Sequence, residues 1–417
     1  TNAADHELAI KDLVHSAFRH AGQKCSAASL ALVEADLYDS PTFQRQLRDA
    51  AASLPVGPAH DLASVVTPVT VPPNETLTRG LTRLDEGEEW LLQPRQIGDN
   101  PQLWTPGIRL GVKPGSWFHR SECFGPVLGL IRVDSLDHAI EIQNDSEFGL
   151  TGGLHSLDER EIAHWRDRVE VGNAYLNRPI TGAIVRRQPF GGWKHSCFGP
   201  GAKAGGPNYV SIFGTWRQDE LPKIGFDLTE AARRLLDQLL DLGHFDEKTL
   251  SAAARSQTHW LRREFGIEHD PSGLHGEDNH FRYRPLRHLL VRSERLSDND
   301  IAILLLASAH TGGQLSFSDA RERPWLRQLG YACVKEDEAT LAQRLRSGLS
   351  PRPQSLRAPG AGNELRRAAN AANLQLIDHP VLANARHELR FHHREQSISH
   401  CTHRYGNLIP KPAEIIP

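Results

Sequence analysis

Residues 177–207 read NRPITGAIVRRQPFGGWKHSCFGPGAKAGGP. Glycine and proline crowd together here, and such density demands tight turns and close backbone approach, or else marks a plain surface loop. The texture on the two sides of this stretch differs from it. Towards the N-terminus, His6 to Phe18 carries Leu8, Ile10, Leu13, Val14, Ala17 and Phe18 at helical spacing, and Gly22 stops the helix. Ser29 to Leu37 has the apolar, β-branched content of a buried strand, and Ser40-Pro41 opens a helix to about Ala52. A Pro-rich segment, Val65 to Asn74, follows. Strands are then predicted at Trp90 to Gln93 and Val127 to Val133, and helices at Leu136 to Asn144 and Asp158 to Val169. Strands alternating with helices indicate an α/β fold.

Regular patterning returns beyond Trp216. Leu228 to Leu242 places Leu235, Leu236, Leu239 and Leu240 on one helical face, and a second helix is predicted from Lys248 to Phe265. Strand-like runs lie at His288 to Arg292, Ile301 to Ser308, Tyr331 to Val334 and Leu374 to Ile377, with helices around 319–329, 338–347 and 363–372. These predict a second α/β unit built as a small doubly wound sheet. The expected division is 1–217 and 218–417. In the second unit Thr311-Gly312-Gly313 follows the run Ile301 to Ser308, and is expected to be a degenerate turn from sheet to helix.

Composition narrows the function classes. The chain has 417 residues with 48 Lys plus Arg against 51 Asp plus Glu, a net charge of −3 that gives no reason to expect nucleic acid as partner. With 39% hydrophobic and 24% charged residues it has the composition of a globular protein. The strongly apolar stretch Ile301 to Ala309 is far below the roughly 18 residues of a membrane helix. The five cysteines at 25, 123, 197, 333 and 401 form no disulfide framework, so reduced thiols and a cytoplasmic location are expected. Met is absent and the chain opens on Thr1-Asn2, from which a start within a longer protein is expected. The lack of any internal Met has no physical account.

Three segments carry chemistry. Cys25 stands in GQKCSA, residues 22–27, beside the small Ser26, Ala27 and Ala28. A lone cysteine is usually a small buried apolar residue, yet a thiolate in such open surroundings could attack a carbonyl. Glu122 to Pro126 reads ECFGP, a carboxylate before a Gly-Pro turn that could accept bonds from sugar hydroxyls or simply be a surface acid. Gln188 to Ser196 reads QPFGGWKHS, preceded by Asn177-Arg178-Pro179. His392, His393, His400, Cys401 and His403 match no common zinc spacing, and no metal is expected. Gly199 to Gly206, GPGAKAGG, is not a strict dinucleotide loop.

Taken in order, GQxC, ExFGP, NxP and PFGG resemble the aldehyde dehydrogenase superfamily. TGAIVRRQPFGG followed by GAKAGGPNY is similar to the branch that oxidises L-glutamate γ-semialdehyde, the ring-opened form of 1-pyrroline-5-carboxylate. That branch includes modules of bifunctional proline utilisation proteins, which carry a proline dehydrogenase upstream, with FAD as its cofactor if one is fused here. The tail REQSISHCTHRYGNL, Arg394 to Leu408, resembles the end of the long members, which append an aldehyde dehydrogenase-like domain.

The resemblance implies that Cys25 attacks the aldehyde, that Glu122 and Phe124 hold the nicotinamide ribose of NAD, and that Ser26, Gly182 and Ala183 anchor the α-carboxylate and amine. Phe190 would pack on the substrate's aliphatic stem. It also implies that the dinucleotide-binding domain, the oxyanion amide and the water-activating glutamate precede the cysteine motif. The missing N-terminal part of the protein is therefore the expected partner, together with a homo-oligomer, and the chain alone is expected to be inactive. Two alternatives stay open: an aldehyde dehydrogenase for another aldehyde, and a non-catalytic lid or assembly module.

Overall fold

The computed structural model describes residues 1–197, 201–404 and 407–408. It divides into two compact units, one of Thr1–Trp193, Pro271–Asn279 and Ser397–Pro417, the other of Lys194–Asp270 and His280–Gln396. Both are α/β, as the alternation of elements predicts.

In the first unit the helix His6–Phe18 leads through a tight turn to the strand Leu30–Glu34. That strand pairs in parallel with Val127–Val133, which pairs in parallel with Gly107–Leu110, while Glu89–Leu92 closes the sheet antiparallel. Register sets Leu30 opposite Gly129 and Val33 opposite Arg132. The central strand Val127–Val133 is buried except at Arg132, the mark of a strand covered on both faces. Phe18, Leu47, Ile108, Leu128 and Leu130 fill the core around it. A second sheet of this unit aligns Thr151–Leu154 and Asn173–Leu176 in parallel, and Ser397 to His400 pair with Asn173 to Leu176.

The second unit is the predicted doubly wound sheet. Five strands run in the order Cys333–Lys335, Gln314–Asp319, His288–Arg292, Ser355–Arg357, Gln375–Ile377, all parallel. The chain starts at the centre, winds to one edge, then returns to wind to the other. Alternate residues of the central strand serve opposite faces: Leu289 and Val291 join one apolar cluster with Leu304 and Leu239, Leu290 another with Leu341 and Leu365.

One element differs in kind from its sequence reading. Ile301 to Ser308 is not a strand but the buried body of a helix, Asp298–Thr311. A short apolar run without polar alternation cannot be assigned by period, and here leucine and alanine favour the helix. Ser297 and Asp300 form a reciprocal capping box at its start, and Gly312 ends it at φ 73. Thr311-Gly312-Gly313 is accordingly a turn from helix to strand. The helix expected around 319–329 is only Pro324–Gln328, because Asp319 still belongs to a strand.

At the C-terminal end of the strand Ser355–Arg357, Arg357 and Glu388 form a wholly buried ion pair at 3.0 Å. Arg357 also donates to the Pro380 carbonyl at 2.8 Å, and the same Glu388 oxygen accepts from the Leu382 N–H at 2.9 Å. Burial pulls the guanidinium below its usual range, while burial's upward push on Glu388 is outweighed by Arg357, His392 and the Leu382 N–H together, which hold its carboxyl below the usual value. Glu388→Ala strands a buried cation and should cost about 3–5 kcal/mol of stability. Urea unfolding measures this, and a loss below about 1 kcal/mol would contradict it.

Candidate active site

The cysteine turn begins at the end of the helix His6–Phe18. Three successive residues, His20, Ala21 and Gly22, take φ of 57, 53 and 69, a left-handed stretch that reverses the chain. For His20 and Ala21 this conformation costs on the order of 1–2 kcal/mol each. Gly22 has a second reason to be glycine: a Cβ there would collide with the Gly125 carbonyl oxygen. The first two sequence motifs thus meet backbone to backbone. Gln23 reinforces the meeting by donating to the Phe124 carbonyl at 3.0 Å and accepting from the Thr70 N–H at 2.8 Å.

Cys25 then sits in a tight turn closed by the Ala27 N–H on the Lys24 carbonyl at 2.9 Å. Its side chain is exposed, whereas Ser26 is buried and donates to the Thr181 hydroxyl at 3.1 Å. Among the described residues the Cys25 backbone N–H has no partner, which leaves it available as a donor. The next loop is held from the same helix: Ser16 Oγ accepts from the Ile180 N–H at 3.1 Å, and the Ser16 carbonyl accepts from Ala28 at 3.0 Å. Tyr175 lies close enough to feel the Cys25 charge. Burial pushes its phenol up to about 12, and a Cys25 thiolate adds to that push.

The segment Gly182 to Arg186 is an exposed loop pinned at its ends. Thr181 fixes one end through Ser26, and Gln188 fixes the other by accepting from the Ile184 N–H at 2.9 Å. The Gln188 amide donates in turn to Asn279 at 2.7 Å, Glu277 at 3.0 Å and Ser399 at 3.1 Å. Gly182 has φ 85 with open space where a Cβ would point. Phe190 is half-buried, and the preceding Pro189 carbonyl accepts from Asn173 at 3.1 Å and Ser397 at 2.6 Å.

Of the residues singled out from sequence, Ser26 is thus joined by a direct bond to the loop of Gly182 and Ala183, and the Cys25 turn to the loop of Glu122 and Phe124. Phe190 sits on the far, Gln188-anchored side of the Gly182 loop. Sequence reading missed the connectors Ser16, Gln23 and Thr181 and the buried Tyr175 near Cys25. Gln23 and Thr181 stood inside quoted motifs, but nothing in a linear motif says which backbone its side chain reaches.

A cavity of about 540 Å3 in the same unit is walled by Lys11, Asp12, Asn177, Arg178 and Glu277 among others, and Cys25 is not in its wall. Asp12 is pushed up to about 6 by burial, and Arg178 is paired with Glu277 at 3.0 Å. Elsewhere, GPGAKAGG lies partly outside the described residues. In its described part the Lys203 N–H already donates to the Glu395 carboxylate at 2.8 Å.

Exposure separates the two cysteines of this site. Cys123, between Glu122 and Phe124, is buried, and burial pushes its thiol up to about 11. Iodoacetamide at pH 7.5 should therefore modify Cys25 and spare Cys123, as peptide mass mapping would show. Equal labelling of both would contradict the geometry.

A family model described as the aldehyde dehydrogenase family matches residues 1–217. The chain is similar to the 1-pyrroline-5-carboxylate dehydrogenase of Bacillus thuringiensis (strain Al Hakam), 36% identical over 220 residues that cover 50% of this chain and 40% of that protein. The same protein of Bacillus cereus (strain AH187) matches with the same identity and coverage. Among solved structures, proline utilization A from Corynebacterium freiburgense superposes with a TM-score of 0.82 at 43% identity, covering 97% of this chain and 38% of that one. The matches thus span well under half the length of these relatives. With its matched residues taking in more than half the chain and all four motifs inside them, the chain belongs to the aldehyde dehydrogenase family.

Proposed function

We propose that this chain carries the nucleophile part of an NAD-dependent L-glutamate γ-semialdehyde dehydrogenase, which forms L-glutamate in proline catabolism, within a bifunctional cytoplasmic protein that works as a homo-oligomer. The observation that carries the reading is the exposed Cys25 on a turn whose neighbours are bonded both to the Glu122–Phe124 loop and to the Gly182 loop. The identity to 1-pyrroline-5-carboxylate dehydrogenases supports the choice of aldehyde. The division into residues 1–217 and 218–417 belongs to the same proposal, as one of ancestry. No described helix is long and apolar enough to cross a membrane.

The exposed Glu122 carboxylate and the Phe124 ring, 42% exposed, fit a nicotinamide ribose, since a carboxylate accepts from two neighbouring hydroxyls and a ring supplies an apolar wall. When bound, NAD takes a hydride from the substrate carbon. Cys25, as thiolate, adds to the aldehyde carbon, and the carbonyl pair moves to oxygen, where the Cys25 N–H donates to the alkoxide. As the alkoxide collapses the hydride leaves, and a thioester remains on Cys25. Water then adds, the carbon–sulfur bond breaks, and the carboxylate departs with the thiolate restored and two protons released.

Specificity falls to the loop of Gly182 and Ala183. Free backbone N–H groups in a turn suit a carboxylate, and the Ser26 oxygen, whose proton goes to Thr181, is left to accept from the α-amine. Gly182 holds φ 85, where a side chain is strained, and its open side leaves room for the amino-acid end of the substrate. In the catalytically competent protein carrying this sequence, Gly182→Ala should lower kcat/KM for γ-semialdehyde about thirtyfold, equivalent to about 2 kcal/mol, and for hexanal less than about threefold. Equal losses on both would point to a different aldehyde. The isolated 417-residue chain is expected to release no NADH from γ-semialdehyde and NAD, and measurable turnover would overturn the view that the site is completed elsewhere.

A further inference from the structure

We propose that Gln23 is a positioning residue that locks the cysteine turn to the loop bearing Glu122 and Phe124. The proposal rests on the reading that this loop holds the nicotinamide ribose. Gln23 stands two residues before Cys25, and its side chain leaves the turn to reach two other segments. Its oxygen accepts from the Thr70 N–H at 2.8 Å, and its NH2 donates to the Phe124 carbonyl at 3.0 Å. Only an oxygen can serve the first partner and only an N–H the second, so the amide has a single orientation.

The residue it grips is itself unusual. Phe124 takes φ 53, a conformation that a side-chain-bearing residue keeps only when its surroundings impose it. Gly125, next to it, lies against Gly22 so closely that a Cβ on Gly22 would strike the Gly125 carbonyl, and a Cβ on Gly125 would crowd the end of the Leu77 side chain. Packing holds the loop from Gly125, and Gln23 holds it at the Phe124 carbonyl. The bond therefore fixes the orientation of the peptide that follows the Phe124 ring, with Cys25 at the other end of the same tether.

Substitution can separate tethering from filling space. Gln23→Glu keeps the acceptor for Thr70 but sets a carboxylate against the Phe124 carbonyl. Gln23→Met keeps the volume and removes both bonds. The two variants are compared with Glu122→Gln in the catalytically competent protein, by the NAD dissociation constant from tryptophan fluorescence, the alkylation rate of Cys25 without NAD, and Tm. At pH 8, Gln23→Glu and Gln23→Met, which both lose the bond to the Phe124 carbonyl, should each weaken NAD binding about tenfold and change the Cys25 alkylation rate by at least about threefold.

The pH profile supplies a signature that a bulk structural role would not. Beside a carbonyl oxygen the introduced carboxyl is favoured in its protonated form. At pH 5.5 it can donate again, so NAD affinity in Gln23→Glu should recover relative to wild type, while Gln23→Met stays weak at every pH. If both variants only lower Tm, with NAD affinity and Cys25 alkylation as in wild type, the positioning role is refuted. If Glu122→Gln weakens NAD binding and Gln23→Glu does not, the positioning role fails and the ribose-loop reading stands. If Glu122→Gln leaves NAD affinity unchanged, that reading falls and the proposal with it.

Discussion

The backbone contact between Gly22 and Gly125 is the constraint on which the site depends. Two loops far apart in the chain approach so closely that one methyl group on Gly22 would collide with a carbonyl oxygen. Everything chemical in the first unit is arranged around that contact. The left-handed run from His20 to Gly22 delivers the chain to it, and the exposed Cys25 follows within three residues. Its backbone strain, on the order of a few kcal/mol, is held by the buried helix His6–Phe18 on one side and the parallel strand Val127–Val133 on the other.

Polar tethers extend the same logic to the Gly182 loop. Ser16, Ser26, Thr181 and Gln188 are all short or amide side chains that bond to backbone or to one another, and none is placed to do chemistry on its own. They leave Gly182 to Arg186 exposed while fixing both ends. The second unit follows a different rule. Its buried carboxylates and arginines, such as Glu388 with Arg357 and Asp319 with Arg323, are paired with each other. The Glu395 carboxylate likewise accepts from the Lys203 N–H at 2.8 Å.

Much of the fold was legible because the periodic signals were long or capped. His6 to Phe18, Pro41 to Ala52 and Val127 to Val133 fall where the apolar pattern places them. The run Ile301 to Ser308 was misread because a fully buried helix shows no polar face, and its capping box lay just outside the apolar window. Glycine and proline density marked the described part of 177–207 as a place of tight turns, such as those closed by the Gln188, Cys197 and Gly206 N–H groups. The order of the motifs named the chemistry, but their spatial joining was invisible. No linear pattern shows that Gln23 reaches Phe124, or that Ser26 meets Thr181, because these bonds span long separations that only the tertiary structure brings to hydrogen-bond distance.

The central claim is that Cys25 carries the acyl group during oxidation of γ-semialdehyde. Its most direct test is acid quenching of the catalytically competent protein during turnover with γ-semialdehyde and NAD, followed by peptide mass spectrometry. The account predicts a thioester-linked glutamyl group on the Cys25 peptide, absent when NAD is omitted. A Cys25 peptide that stays unmodified throughout turnover, or an acyl group found on Cys123 or Cys197 instead, would contradict it.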